Sequence, residues 1–292
     1  MTHGSDTPPD PREHPVEPGG GPFDIVPLSD GLGAELRSVD LAEVAREPLR
    51  FVHLAALLRR YKVLLVPDQT LGSEEFLALA RHFGPVEDVP NPRAAPERPG
   101  LIRLGEGPYG MAPCDRGFHV EASWREVPPM VCLLRCVETS AAGSEMSWVD
   151  MAAAYRRLPA DLRCRIADLR GLHSMEALLP DTVDPDHLEV LRRRYPAAEH
   201  PVVHTHPETG EKLLFVDAFT TRLLDHGSGD DALRDGDLLG RLQQQAAAPG
   251  IRVDRWLTEN CVAIWDNRST QHRAAPGEHR FERIRVVGGD VR

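Results

Sequence analysis

FHVEASWREVPPMVCLLRCVETSAAGSEMSWVD, from Phe118 to Asp150, is the stretch on which the reading of this chain turns. Its opening places His119 and Glu121 two positions apart. On an extended segment residues i and i+2 face the same way, so an imidazole and a carboxylate would project together. After Pro128-Pro129 comes an apolar run, MVCLLRCVE, then the small-residue turn SAAG and the run SEMSWVD. That pattern predicts two strands joined by a short turn. Far downstream, VAIWDNRSTQHRA (262–274) places His272 directly after a strand that ends in a turn. Two histidines and one carboxylate on one face of an iron ion leave adjacent positions open for substrate and oxygen. A His-x-acid pair on its own is a weak signal, because surface ion pairs share that spacing.

Outward from this stretch, short strands dominate the middle and end of the chain. FDIVPLS (23–29) and VLLVPD (63–68) predict strands, and the apolar spacing from Leu49 to Arg60 predicts a helix between them. SEEFLALARHFG predicts a second helix, with Ser73 as N-cap and Gly84 as its stop. The Pro- and Gly-rich stretch Pro85–Arg116 is expected to be a functional loop or lid. DMAAAYRRLPADLRCRIADL (150–169) predicts a helix, and HPVVHTHPETGEKLLFV (200–216) a hairpin around PETG. A helix over Asp230–Ala248 precedes the runs IRVDRWL and FERIRVVGGD. No βαβ rhythm or glycine-rich phosphate loop is visible, which argues against a Rossmann-type nucleotide enzyme.

Composition narrows the class. The chain has 292 residues and a formal net charge of −11, which argues against a phosphate-backbone binder and hence against nucleic acid as a partner. Of its 34 basic residues only Lys62 and Lys212 are lysine. No apolar run approaches the roughly 20 residues that cross a membrane. Residues 1–22, rich in Pro, Gly and acids, read as a disordered tail, and 23–292 as a single domain. The five cysteines (Cys114, Cys132, Cys136, Cys164, Cys261) are irregularly spaced and read as buried, reduced thiols of a cytoplasmic protein.

The order of features in 118–159 (a His-x-acid pair, Pro-Pro, an apolar strand, a small turn and a strand ending in Trp) closely resembles the taurine dioxygenase (TauD/TfdA) family of 2-oxoglutarate-dependent oxygenases. VAIWDNRSTQHRA resembles that family's distal-histidine block, and the likeness runs from about Phe23 to the C-terminus. The resemblance implies a mainly β fold with flanking helices, a double-stranded β-helix or jelly roll. It implies Fe(II) as the metal, with His119, Glu121 and His272 as ligands. It also implies 2-oxoglutarate as cosubstrate, consumed with O2 to give succinate and CO2. Arg283, eleven residues after His272, falls where the family keeps the arginine for the far carboxylate of 2-oxoglutarate. Arg285 would share its strand face and Arg280 would point away. The expected reaction is oxidation of a small molecule, by default hydroxylation; desaturation or cyclisation would use the same residues.

Several positions depart from the family. Its usual acid ligand is Asp, and Glu121 resembles instead the clavaminate synthase-like branch, whose members often oxidise amino acids and their derivatives. Met146 stands where a Thr often helps to hold 2-oxoglutarate, while Ser147 should face the other way. Asp115 replaces an Asn that some members place four residues before the first histidine. Val287 stands where taurine-type members carry a second arginine, so taurine is not the expected substrate. Asp115 and Ala122 are the candidate substrate contacts, and Asp115 points to an amine-bearing molecule. Two other readings remain open at this stage, a jelly-roll binding module without catalysis and a zinc hydrolase, although no HExxH motif supports the latter. Halogenation is disfavoured because Glu121 fills the position where a halide would bind. Oligomeric state is left open, with a homo-oligomer as one outcome.

Overall fold

The computed structural model describes residues 22–87, 99–105, 117–141, 143–178, 184–225, 237–275 and 279–288. Near the N-terminus β1 (Asp24–Pro27) pairs antiparallel with β2 (Ala34–Arg37). Helices α1 (Leu41–Arg46) and α2 (Pro48–Tyr61) then lead into β3 (Val63–Val66), which lies parallel to β2. One helical crossover therefore exists where the sequence suggested none. Helix α3 (Ser73–Phe83) follows. Ser73 is its first residue and not its cap. Glu75 Oε2 accepts from the Gly72 N–H (2.9 Å), and the Ser73 hydroxyl donates to Glu282 (2.8 Å).

Within the expected lid, β4 (Leu101–Leu104) is a paired strand and not loop, while 88–98 and 106–116 lie outside the described residues. The decisive stretch supplies β5 (Val131–Thr139) and β6 (Ser144–Asp150), as expected. The single helix expected next is two, α4 (Met151–Arg156) and α5 (Ala160–Ile166). Pro159 separates them, since its ring and missing N–H disfavour a continuous helix. Then come β7 (Arg170–His173), α6 (Pro185–Arg194) and β8 (Ala198–Pro201). The expected hairpin is β9 (Val203–Thr205) with β10 (Lys212–Leu214). After β11 (Thr220–Leu224), helix α7 occupies Leu238–Ala246. The chain ends in β12 (Arg252–Leu257), β13 (Val262–Asp266), β14 (Thr270–Ala274) and β15 (His279–Val286).

Two of the sheets face each other to form the jelly roll. The larger runs β1-β2-β3-β13-β5-β15-β4 and the smaller β12-β6-β14. Alternation in the large sheet shows how the chain fills both of its faces. Val63, Leu65, Cys132, Leu134, Ala263, Trp265 and Phe281 pack between the sheets, against Met146 and Trp148 of β6. Their neighbours Leu64, Val66, Leu133, Ile264 and Ile284 pack on the opposite face with α1, α2 and α3. All four residues of β3 are buried for this reason, which explains a run with no polar alternation. A third cluster lies beneath α4, α5 and α7. Cys132, Cys136 and Cys261 are buried free thiols, as expected, whereas Cys164 on α5 is exposed.

Candidate metal centre

The fold brings His119, Glu121 and His272 together, all three buried. His272 sits on β14, in mid-strand and not after one. His119 and Glu121 do not follow a regular strand. His119 forms an isolated antiparallel bridge to His272, and residues 121–124 turn away at once. The bridge is reciprocal: the His119 N–H donates to His272 O (3.1 Å) and the His272 N–H to His119 O (2.9 Å). A directly paired position sets two side chains on the same face of the ladder, and the imidazole centroids are 4.4 Å apart.

One ligand-competent atom from each of the three residues lies within 4.8 Å of the others. Glu121 Oε2 is 3.7 Å from His272 Nε2. His119 Nδ1 lies 3.2 Å from Gly117 O, so a neutral ring donating there keeps Nε2 as a lone pair. His272 Nδ1 is buried without a hydrogen bond. Burial and the adjacent His119 press the His272 pKa well below its ordinary value, leaving the neutral imidazole that a metal requires. For Glu121 burial would raise the pKa, but Arg283, Arg285 and the two histidines overcome it and hold the carboxyl at about 2. Two imidazoles and one fixed carboxylate are a donor set that suits a divalent iron-group cation.

The arginines come from β15. Arg283 and Arg285 share the parity of Phe281 and so face the space between the sheets. Arg283 Nη1 donates to Glu121 Oε2 (2.8 Å) and Arg285 Nη1 to Oε1 (3.1 Å). Arg280 instead pairs with Glu138 on the exposed side. A further carboxylate extends the cluster: Glu87 Oε2 lies 2.5 Å from Arg285 Nε, and Glu87 also contacts Arg125. Among the described residues, the guanidiniums of Arg125, Arg283 and Arg285 thus meet the carboxylates of Glu87 and Glu121. Burial and the neighbouring Arg285 depress Arg125 to about 10.

Glu87 and Arg125 are absent from the sequence expectations. Only a coarse signal pointed to Glu87, which lies in the stretch expected to be a functional loop. Arg125 follows the His-x-Glu pair, but nothing in its spacing distinguishes it. Of the remaining expected residues, Met146 is buried between the sheets among Cys132, Leu134 and Trp148. The Ser147 hydroxyl donates to Asp254 on the other face (2.5 Å). Ala122 is fully buried, in a left-handed conformation (φ 54°) that starts the turn after Glu121. Val287 is 41% exposed just past the end of β15. Asp115 lies outside the described residues.

Known proteins resemble this chain along nearly its whole length. The model of a family described as taurine catabolism dioxygenase TauD, TfdA family matches residues 24–287. An alkylsulfatase of Acinetobacter baylyi is 30% identical over 276 residues, covering 90% of this chain and 84% of that protein. An alpha-ketoglutarate-dependent sulfate ester dioxygenase of Pseudomonas putida is 32% identical over 285 residues, covering 92% and 90%. Among solved structures, a taurine dioxygenase from Burkholderia xenovorans superposes with a TM-score of 0.72 at 28% identity, covering 91% of each chain.

Proposed function

The chain belongs to the taurine catabolism dioxygenase TauD, TfdA family and is a 2-oxoglutarate-dependent dioxygenase, and we propose that its iron(II) is held by His119, Glu121 and His272. The observation that carries this reading is the convergence of the three donor groups beside the guanidiniums of Arg283 and Arg285. When bound, the metal with 2-oxoglutarate and O2 supplies the oxidant for a substrate C–H bond. The chain's own part is to bind, orient and exclude water.

Arg283 is the residue we assign to the far carboxylate of 2-oxoglutarate. Its guanidinium faces the space between the sheets beside the three donor groups and donates to Glu121 Oε2 (2.8 Å). A planar guanidinium placed there suits bidentate pairing with a carboxylate. Arg285 keeps Glu87 as a partner, so its role is to hold Glu121 and to anchor the cluster. Met146 would border the same space as an apolar wall. Phe219 stands edge-on to His119 (5.3 Å) and Trp124 packs on Phe219 (4.6 Å), which keeps that side of the centre dry.

The prime substrate is a small molecule. Because two relatives are named for alkyl sulfates and sulfate esters, we favour a sulfate ester over the amine-bearing class to which Asp115 pointed. Val287, exposed and apolar where a sulfonate-binding arginine was expected, still disfavours taurine. Residues 23–292 are read as one oxygenase domain, the tail expected over 1–22 lies almost wholly outside the described residues, and the free cysteines fit the cytoplasm. Among the described residues no helix is long and apolar enough to cross a membrane. The test is succinate release with iron(II), 2-oxoglutarate and a panel of alkyl sulfates, amino acids and taurine. An alkyl sulfate should give the largest rate, and His272→Ala should give none. Equal succinate release from His272→Ala would rule out the triad.

A further inference from the structure

The His119-Val120-Glu121 tripeptide lies outside any regular strand, so its shape depends on what its backbone touches. His119 is held by its bridge to His272 (3.1 and 2.9 Å). The Val120 N–H donates to Asp217 Oδ2 (3.0 Å). The Glu121 N–H donates to Asn267 Oδ1 (2.8 Å), while Asn267 Nδ2 donates back to Glu121 O (3.1 Å) and to Pro129 O (2.8 Å). Asn267 has no exposed surface and Asp217 only 1%. The amide of Asn267 therefore engages both polar groups of the Glu121 backbone, as a neighbouring strand would.

Asp217 is itself fixed. Its Oδ1 accepts from the Phe219 N–H (2.9 Å) and the Thr220 hydroxyl (3.3 Å), and lies 3.3 Å from His173 Nδ1. The next residue, Ala218, donates its N–H to Phe118 O (3.1 Å). These contacts draw the Asp217 pKa below its ordinary value, against burial, with His173 the strongest opposing influence. Neither Asn267 nor Asp217 is among the three donor residues. They reach the tripeptide from two separate turns further along the chain, one after β13 and one before β11.

We propose that Asn267 and Asp217 are positioning residues for the metal centre, two side chains that replace a missing strand partner and set the distance between the His119 and Glu121 donor atoms. This rests on the triad reading above. It assigns a specific task to the Asn of WDNR, since an amide offers both a donor and an acceptor, as a peptide group does. A carboxylate cannot donate back, and an aliphatic side chain can do neither. Groups that orient ligands without touching a metal commonly change its affinity by about 10–100-fold when removed.

The test uses Mn(II) alone as probe, with free Mn(II) followed by electron paramagnetic resonance in the full-length chain. The parent, His272→Ala, Asn267→Ala, Asn267→Asp and Asp217→Asn are compared, with far-ultraviolet dichroism and unfolding temperature recorded without metal. Asn267→Ala should keep the dichroism of the parent yet bind Mn(II) at least about tenfold more weakly, with an altered spectrum of the bound ion. Asn267→Asp should also bind more weakly. Asp217→Asn, which keeps an acceptor for the Val120 N–H, should lie close to the parent. If Asn267→Ala does not fold, the isosteric Asn267→Asp is read in its place. A folded Asn267→Ala or Asn267→Asp with parental affinity and spectrum overturns the proposal. If the parent binds no Mn(II), or His272→Ala binds it as well as the parent does, the triad reading itself fails.

Discussion

Two buried carboxylates meet arginines of the large sheet, one on each face, and only one of them belongs to a candidate active site. Glu282, on the helix side of β15, lies 2.5 Å from Arg135 directly across the ladder and accepts from Ser73 at the start of α3. Glu121, on the inter-sheet side, meets Arg283 and Arg285 and stands beside two imidazoles. Both acids are at least nine-tenths buried. Glu282 bolts a helix to the sheet, with donors matched to its oxygens. Around Glu121, two guanidiniums and two imidazoles converge on one carboxylate, and among the described residues a ring nitrogen of His272 has no hydrogen-bond partner. A buried ion pair therefore says little about function. Metal-competent donors gathered on one carboxylate say much more.

The sharpest way to break this contrast is to delete one acid at a time. Glu121→Ala or His272→Ala should reduce turnover to background and remove any rise in unfolding temperature caused by Mn(II). Glu282→Ala should destabilise the fold by less than the roughly 3–5 kcal/mol of a fully buried pair, because Arg135 is only partly buried and keeps Leu71 O and Ser73 as partners, while the folded fraction retains parental Mn(II) affinity. Urea unfolding at several Mn(II) concentrations reads both effects. Loss of metal affinity in Glu282→Ala would show that the two faces are not independent.

A smaller effect separates the arginines. Truncating one partner of a desolvated charge pair costs about 2–5 kcal/mol, so Arg283→Ala should weaken 2-oxoglutarate at least roughly thirtyfold. Arg285→Ala should do less, since Glu87 already shares its charge, and Arg280→Ala should do almost nothing. Titration of 2-oxoglutarate into the iron-loaded variants, followed by chelate absorbance, ranks them. An Arg285→Ala defect larger than that of Arg283→Ala would move the cosubstrate assignment by two residues.

A further effect is expected in pH. The Glu121 carboxyl, ordinarily near 4.5, is held at about 2 in the folded protein. The unfolded chain therefore takes up a proton before the folded one does. This contribution to stability is complete above 4.5 and is lost as pH falls toward 2. In the metal-free protein, the unfolding free energy should fall less steeply over this range in Glu121→Gln than in the parent. Equal slopes would mean that the arginines do not hold this carboxyl ionised.

Much of this was legible before any coordinates. The two blocks carrying His119, Glu121 and His272 stand out by residue type, spacing and order, and β5, β6 and the PETG hairpin follow from their alternation and turn residues. What escaped depends on long-range pairing. Glu87 reaches Arg285 because the Glu87 N–H pairs with Arg285 O across a bridge that no local pattern signals. Asn267 and Asp217 act through backbone groups, and backbone groups leave no trace in residue type. His119 and Glu121 were expected on an extended strand, because the i, i+2 rule gives the shared face but not the ladder. Ser73 looked like a helix cap, yet its hydroxyl is taken by Glu282 from 209 positions away.

The most direct test of the central claim is anomalous diffraction at the iron absorption edge, from crystals grown with iron(II) and without oxygen. The account predicts one peak at roughly 2.0–2.2 Å from a ring nitrogen of His119, an oxygen of Glu121 and a ring nitrogen of His272. Arg283 should then have turned from Glu121 toward added 2-oxoglutarate. A peak held by other residues, or none in protein that still releases succinate, would contradict it.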